Sequence, residues 1–86
     1  MYYLGRALLK KHEPAEAARW LQQAVRVNVD DAHAYNALAV ALAGTRDLAG
    51  ARSQLQRAQA IEPGSALYKQ NLRCIEQEMR NCELGF

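Results

Sequence analysis

Apolar residues recur every three or four positions along most of this chain, in stretches separated by polar and turn-forming residues. Such spacing places them on one face of a helix, and no stretch alternates apolar and polar residues as a half-buried strand does. Turn-forming residues gather at four places, around residues 12–14, 28–31, 44–47 and 62–65. The pattern predicts an all-α fold of five helices, over about residues 1–12, 14–28, 32–45, 47–62 and 66–81.

The residues at the predicted helix boundaries have suitable chemistry. Pro14 fits the first turn of a helix, where its missing N–H costs nothing. Asp47 and Ser65 stand just before helical stretches, and such side chains accept hydrogen bonds from the N–H groups of a helix N-terminus. Asp30 or Asp31 has the same role before the third helix. The connections are short, which predicts that consecutive helices pack antiparallel.

The sequence repeats itself with a period of 34 residues. Leu4 aligns in this way with Leu38, and Leu8 aligns with Leu42. The aligned pairs continue with Ala7 and Ala41, Ala17 and Ala51, Leu21 and Leu55, and Ala24 and Ala58. Most of these matches are apolar and lie three, four or seven positions apart, so the repeated object is a helix face.

The two copies resemble the tetratricopeptide repeat (TPR) family, whose unit is a helix–turn–helix of 34 residues. The spacing of the family signature is kept at Met1, Leu4, Gly5, Leu8, Ala17, Leu21 and Ala24, and again at Tyr35, Leu38, Ala39, Leu42, Ala51, Leu55, Ala58 and Pro63. The resemblance implies one domain of about two and a half units over residues 1–86, stacked as a short right-handed α-solenoid. Repeat 1 would span about 1–31, repeat 2 about 32–65, and a C-terminal capping helix about 66–81.

The resemblance also implies a function. The first helix of each TPR pair lines a concave groove, which usually holds a peptide or a partner helix. The residues turned into that groove would be Tyr2, Arg6, Leu9 and Lys10, then His33, Asn36, Val40 and Ala43, then Leu67, Gln70, Asn71, Cys74 and Gln77. Side-chain amides can bond a peptide backbone as both donor and acceptor. We expect a protein-interaction scaffold that binds a peptide or segment of another protein. The alternative is that these residues are merely solvated and the partner binds elsewhere.

Charge and hydropathy narrow the classes of partner. The chain has eleven basic residues, eight of them arginines, and nine acidic residues, which gives a net charge of +2. The arginines are spread over four of the five predicted helices and one turn, so nucleic-acid binding is not predicted, although a small nucleic-acid-binding domain stays a third hypothesis. The longest apolar run, residues 37–43, is far shorter than the ~20 residues that span a bilayer. No membrane partner is predicted.

No residues are arranged for catalysis or for a cofactor. The chain has neither a glycine-rich phosphate loop nor a nucleophile elbow. His12 and His33 lack the local ligand pairs from which a zinc site of ~4 ligands is built. The sequence therefore predicts a protein that is not an enzyme, with no cofactor and no metal.

Of the two cysteines, Cys74 lies on the predicted fifth helix and Cys82 lies at its end. Cys74 and Cys82 are eight residues apart, which in a helix separates them by ~12 Å, beyond the ~7 Å between Cα atoms that a disulfide spans. We expect free thiols in a reducing compartment, with intermolecular oxidation as the alternative. No secretory signal is visible, so a cytoplasmic location is expected.

The first helix has an apolar side that no preceding repeat covers. Repeat arrays need a terminal cap with a polar outer face, and the fifth helix can provide one only at the other end. Tyr2 and Tyr3 would then be exposed. We expect either that further repeats lie upstream in a longer protein, or that this chain forms a homo-oligomer through its first helix. The second expectation makes a structural, self-associating segment the alternative function.

Overall fold

The computed structural model describes all 86 residues as five α-helices joined by short turns, without a strand. The helices are α1 (Tyr2–Lys10), α2 (Pro14–Val27), α3 (Ala32–Gly44), α4 (Leu48–Ile61) and α5 (Ala66–Glu76). The predicted all-α class and the number of helices are confirmed. The bounds of the first four helices lie within two residues of those expected, whereas α5 ends five residues before the predicted position 81. None of these helices is both long and apolar enough to cross a bilayer.

Three helices begin at the capping residues that the sequence indicates. In each, a side-chain oxygen accepts a hydrogen bond from the N–H three residues further on, which satisfies one donor left free at a helix start. The pairs are Asp31 with Ala34 at 3.3 Å, Asp47 with Gly50 at 2.9 Å, and Ser65 with Tyr68 at 3.3 Å. Asp31, rather than Asp30, therefore caps α3.

The odd-numbered helices end in one shared way. A residue in the left-handed conformation follows the last turn, and the next N–H bonds back to a carbonyl five residues earlier, as in a Schellman motif. The left-handed residues are His12, Arg46 and Glu78, with φ of 60°, 71° and 58°. The back-bonds run from Glu13 to Leu8, Asp47 to Leu42 and Met79 to Cys74, at 2.9, 2.9 and 2.8 Å. The first two turns are 34 residues apart, and the third comes two residues early.

Each helix packs on the next along the chain, and α1 also contacts α3. One buried cluster joins α1, α2 and α3, and a second joins α3, α4 and α5. Alanine and glycine permit the close crossings: Ala17, Ala39, Ala51 and Ala58 are fully buried. A Cβ atom at Gly5 would lie only 2.5 Å from Cγ of Leu21. Small residues therefore stand where the helices approach one another most closely.

Leu4 does not fill the core as its place in the repeat suggests. It is 44% exposed, whereas its counterpart Leu38 is 2% exposed. Leu38 lies in a cluster with Leu8 and Leu9 of α1. No helix covers the corresponding side of α1, so the same repeat position is bare there.

The chain reverses direction after α5, and this overturns the prediction for the cysteines. Glu78, Met79 and Asn81 all have positive φ, so residues 77–81 form turns instead of extending the helix. The reversal brings the Cα atoms of Cys74 and Cys82 to 5.8 Å, and the two cysteines form a disulfide. Neither is a free thiol. The argument for a reducing compartment therefore fails, because structural disulfides persist in oxidising ones.

Candidate functional site

Residues 82–86, which we call the tail, run back across the helices without regular secondary structure. The disulfide joins the start of the tail to α5. Phe86 lies beside Tyr2 and Arg6 of α1, and Leu84 packs against the second core cluster. The residues of α1, α3 and α5 that surround the tail are called the tail site below.

Asn71 of α5 forms hydrogen bonds with both main-chain polar groups of Gly85 in the tail. The Gly85 N–H donates to Oδ1 of Asn71 at 2.9 Å, and Nδ2 of Asn71 donates to the Gly85 carbonyl at 2.8 Å. An asparagine side chain carries one acceptor and two donors, so this pairing matches the amide to both polar groups of one residue. Because the backbone N–H can only donate, it also fixes which way the Asn71 amide points.

Asn36 of α3 completes the contact. Its Nδ2 donates to the same Gly85 carbonyl at 3.0 Å, and its Oδ1 accepts from Nδ2 of Asn71 at 2.8 Å. Asn36 is 1% exposed and Asn71 is 2% exposed. Buried amides of this kind need hydrogen-bond partners, and each here has them in the other and in the tail. The arrangement bonds only main-chain groups of the tail.

A cavity of about 540 Å³ lies on one side of the tail. It is lined by Tyr2, Tyr3, Arg6, Asp31, His33, Leu67 and Phe86. Within this region Nε of Arg6 is buried and has no hydrogen-bond partner. The cavity wall therefore combines aromatic, apolar and cationic groups from α1, α3 and α5.

Tyr68 fixes the position of His33 in that wall. Its hydroxyl lies 3.3 Å from Nδ1 of His33, and the two rings meet edge to face. Burial raises the pKa of the Tyr68 hydroxyl, and the nearby Glu62, Tyr2 and Asp31 raise it further. Tyr68 is therefore a neutral group that can share a hydrogen bond with the imidazole.

A second cavity, of about 470 Å³, is lined by Leu9, His12, Pro14, Val40, Gly44, Glu83, Leu84 and Phe86. Three of these residues, Glu83, Leu84 and Phe86, belong to the tail. Phe86 also lines the first cavity. Both cavities are therefore bordered by the tail and lined in part by apolar side chains.

Nine of the thirteen residues expected in the groove lie around the tail. Tyr2, Arg6, His33 and Leu67 line the first cavity, Leu9 and Val40 line the second, Asn36 and Asn71 bond Gly85, and Cys74 bonds Cys82. Lys10, Gln70 and Gln77 are exposed and line neither cavity. Ala43 is buried in the second core cluster. Cys74 requires a correction: its sulfur is bonded to Cys82, so it anchors the tail and does not offer a contact surface.

Sequence reasoning missed the tail itself. Glu83, Leu84, Gly85 and Phe86 have no helical periodicity and were assigned no role. The signal that could have located them is the pair of cysteines, which constrains the chain once α5 is allowed to end before Cys82. No cluster of three or more His, Cys, Asp or Glu side chains is placed to hold a metal ion.

Comparison of the chain with protein-family models gives no match. Comparison with curated proteins gives none either. The functional assignment therefore depends on the geometry described above.

Proposed function

We propose that this chain is a non-catalytic peptide-binding module that takes an extended segment of another protein in the tail site. The observation that carries this proposal is the pairing of Asn71 with both main-chain groups of Gly85, at 2.8 and 2.9 Å. The tail is an extended peptide already bound in this way. A partner segment would use the same amides after displacing it.

The proposed architecture is a TPR-like α-solenoid of about two and a half units, with the tail site as its concave groove. Two features support it. The left-handed turns at His12 and Arg46 recur with the 34-residue period of the sequence. The odd-numbered helices are also neighbours, since α1 contacts α3 and Asn36 of α3 bonds Asn71 of α5. A groove built from these three helices would present one face to a peptide.

Hydrogen bonds to the main chain alone would accept many peptide sequences. The two cavities beside the tail could select among these sequences by binding particular side chains. Main-chain hydrogen bonds give affinity in such sites, while pockets for individual side chains give specificity. Arg6 and His33 line the first cavity, and Leu9 and Val40 line the second. The groups that surround the tail are suited to binding and holding a segment.

The test uses an open chain, meaning all 86 residues with Cys82→Ser and Leu84→Asp. The first change removes the disulfide, and the second places a charge where Leu84 packs on the core. The probe is a fluorescent peptide, Glu-Leu-Gly-Phe, with its C-terminus amidated. We expect the open chain to bind this probe, as measured by fluorescence anisotropy. Failure of the folded open chain to bind any extended peptide would contradict the proposal.

A leucine at position 71 tests the role of the amide. Asn71→Leu keeps the number and branching of the side-chain heavy atoms and removes one acceptor and two donors. In the open chain it should weaken probe binding about tenfold or more, since each lost hydrogen bond contributes ~1 kcal/mol and tenfold corresponds to ~1.4 kcal/mol. Gln70→Leu is the matched control, because Gln70 is the exposed neighbouring amide on the same helix. Equal losses in both variants, or none in either, would show that the amide does not hold the peptide.

A second candidate function is self-association through α1. Met1, Tyr3 and Leu4 are 45%, 78% and 44% exposed, which leaves an apolar surface on one side of that helix. Such a patch supports contact with another copy of the chain or with a further helical repeat. Tyr3 also lines the first cavity, so this surface adjoins the tail site without including Asn36 or Asn71.

A further inference from the structure

We propose that the tail site selects partner segments of the form apolar–glycine–aromatic, and that Leu84, Gly85 and Phe86 are a built-in competitor for it. In this proposal the Cys74–Cys82 disulfide keeps the competitor in place, and its reduction opens the site. The proposal rests on the proposed peptide-binding function and adds to it the class of ligand and the means of control.

The glycine preference follows from how Gly85 is held. Asn71 bonds its N–H and its carbonyl, so the main chain cannot withdraw without losing both hydrogen bonds. A Cβ atom at this position would lie 2.6 Å from Cδ1 of Leu67. The Leu67 side chain is flexible and could turn away from a single methyl group. A β-branched side chain needs more room, and Leu67 also forms part of the first cavity wall.

The flanking preferences follow from the two neighbours of Gly85. Leu84 packs against the core cluster of α3, α4 and α5, so an apolar side chain is favoured before the glycine. Phe86 lines both cavities, and Tyr2, His33 and Leu67 line the first with it. Phe86 is 37% exposed, so its ring borders these cavities without being enclosed. A large flat side chain after the glycine is favoured because it can cover aromatic and apolar groups of both cavities.

The tail and a partner segment would compete because both need the same side-chain atoms of Asn71. Oδ1 and Nδ2 of Asn71 are occupied by Gly85, so a partner cannot form the same bonds until the tail leaves. A tethered segment has an effective concentration that reaches the millimolar range. The disulfide shortens the tether, because it binds the tail to Cys74, which lies one helical turn after Asn71. The oxidised chain should therefore exclude partners more strongly than the reduced chain.

The redox step needs a dithiol as reductant. The S–S bond between Cys74 and Cys82 breaks, and both cysteines become thiols. The dithiol supplies the two electrons and two protons and is itself oxidised to a disulfide. The tail is then held only by its hydrogen bonds and apolar contacts.

The experiment compares three amidated probes on the open chain: Glu-Leu-Gly-Phe, Glu-Leu-Ala-Phe and Glu-Leu-Val-Phe. We expect the valine probe to bind about tenfold more weakly than the glycine probe, with alanine between them, because overpacking costs ~1–3 kcal/mol. The natural-sequence chain is then measured oxidised and after reduction with dithiothreitol. The oxidised chain should bind the glycine probe at least about tenfold more weakly than the open chain, and reduction should recover part of the loss.

The outcomes separate this inference from the proposed function. If all three probes bind the open chain equally, the glycine preference is wrong, and peptide binding stands. If no peptide binds, the proposed function itself fails. If the oxidised natural chain binds the probe as tightly as the open chain, the tail is not a competitor.

Hydrogen exchange on the natural chain provides a check that needs no variant. The Gly85 amide should exchange slowly when oxidised and faster when reduced, because its bond to Asn71 is then released more often. Fast exchange in the oxidised chain would overturn the proposed occupancy.

Discussion

Asn71 links the tail site to the stability of the fold, because its buried amide bonds both the tail and Asn36. Its one acceptor and two donors are all used, by the N–H and carbonyl of Gly85 and by Asn36. A buried amide that loses its partners costs about 1–3 kcal/mol for each unsatisfied group. When the tail leaves, water or a partner peptide must take over its bonds. The residue therefore favours an occupied site over an empty one.

Tyr68 gives a prediction at the residue scale that concerns pH. Its side chain is 1% exposed, and burial raises its pKa above the ordinary value of 10.0. A raised folded-state pKa means that stability is complete below about pH 10 and is lost as the pH rises through the folded value. We expect the free energy of unfolding, measured by urea titration, to fall as the pH rises above about 10.

The matched variants are Tyr68→Phe and Tyr3→Phe. Tyr68→Phe should lose about 1 kcal/mol at neutral pH with the His33 hydrogen bond, and its alkaline decline should be shallower than that of the natural chain. Tyr3 is 78% exposed, so Tyr3→Phe should follow the natural chain at every pH. Parallel declines in all three proteins would show that Tyr68 does not carry the effect.

At the scale of the element, the sequence is most informative where helices begin. Asp31, Asp47 and Ser65 cap the helices that follow them, as expected, because N-capping is a local interaction. The helical periodicity likewise predicts all five helices, since each buries one face. Asn36 and Asn71, which the TPR resemblance predicts to face a groove, both form hydrogen bonds with the tail.

The end of α5 was not predictable by the same reasoning. Residues 77–81 contain neither glycine nor proline, yet Glu78, Met79 and Asn81 are left-handed, which is uncommon for residues with a side chain. An amphipathic pattern continues to Met79, which packs against the core from the turn instead of from a helix. The disulfide and the hydrogen bonds between Asn71 and the tail both depend on that reversal. Because the predicted end of α5 was wrong, neither could be predicted from the sequence.

Helix α1 gives a prediction at the same scale. Its exposed apolar side includes Leu4, whose repeat counterpart Leu38 is buried. If that side pairs with another copy, sedimentation velocity should show association that grows with concentration. Leu4→Lys should reduce it, because a charge would be buried in the contact.

The control for α1 is Gln22→Lys, which adds the same charge at an exposed position on α2. This variant should associate like the natural chain. A natural chain that stays strictly monomeric at about 100 µM would limit any self-association to less than ~5.5 kcal/mol and would remove the second candidate function.

At the scale of the whole molecule, the tail connects parts of the chain that are distant in sequence. Gly85 bonds Asn36, 49 residues earlier, and Phe86 borders a cavity that includes Tyr2. The disulfide fixes only the start of this connection, at residues 74 and 82. Stability and access to the tail site are therefore coupled, since both change when the tail detaches.

This coupling predicts the effect of reduction on thermal stability. Closing the short loop between Cys74 and Cys82 removes freedom from the unfolded chain and should contribute about 2–3 kcal/mol. Reduction of the natural chain should therefore lower its melting temperature by about 10 °C, followed by circular dichroism. Cys82→Ser should melt at the reduced temperature and should not respond to dithiothreitol, which controls for other effects of the reductant. Equal melting of the oxidised natural chain and Cys82→Ser would mean that the tether contributes nothing to folding. Because the tail also occupies Asn71, a glycine probe at saturating concentration should restore part of the stability lost by the open chain.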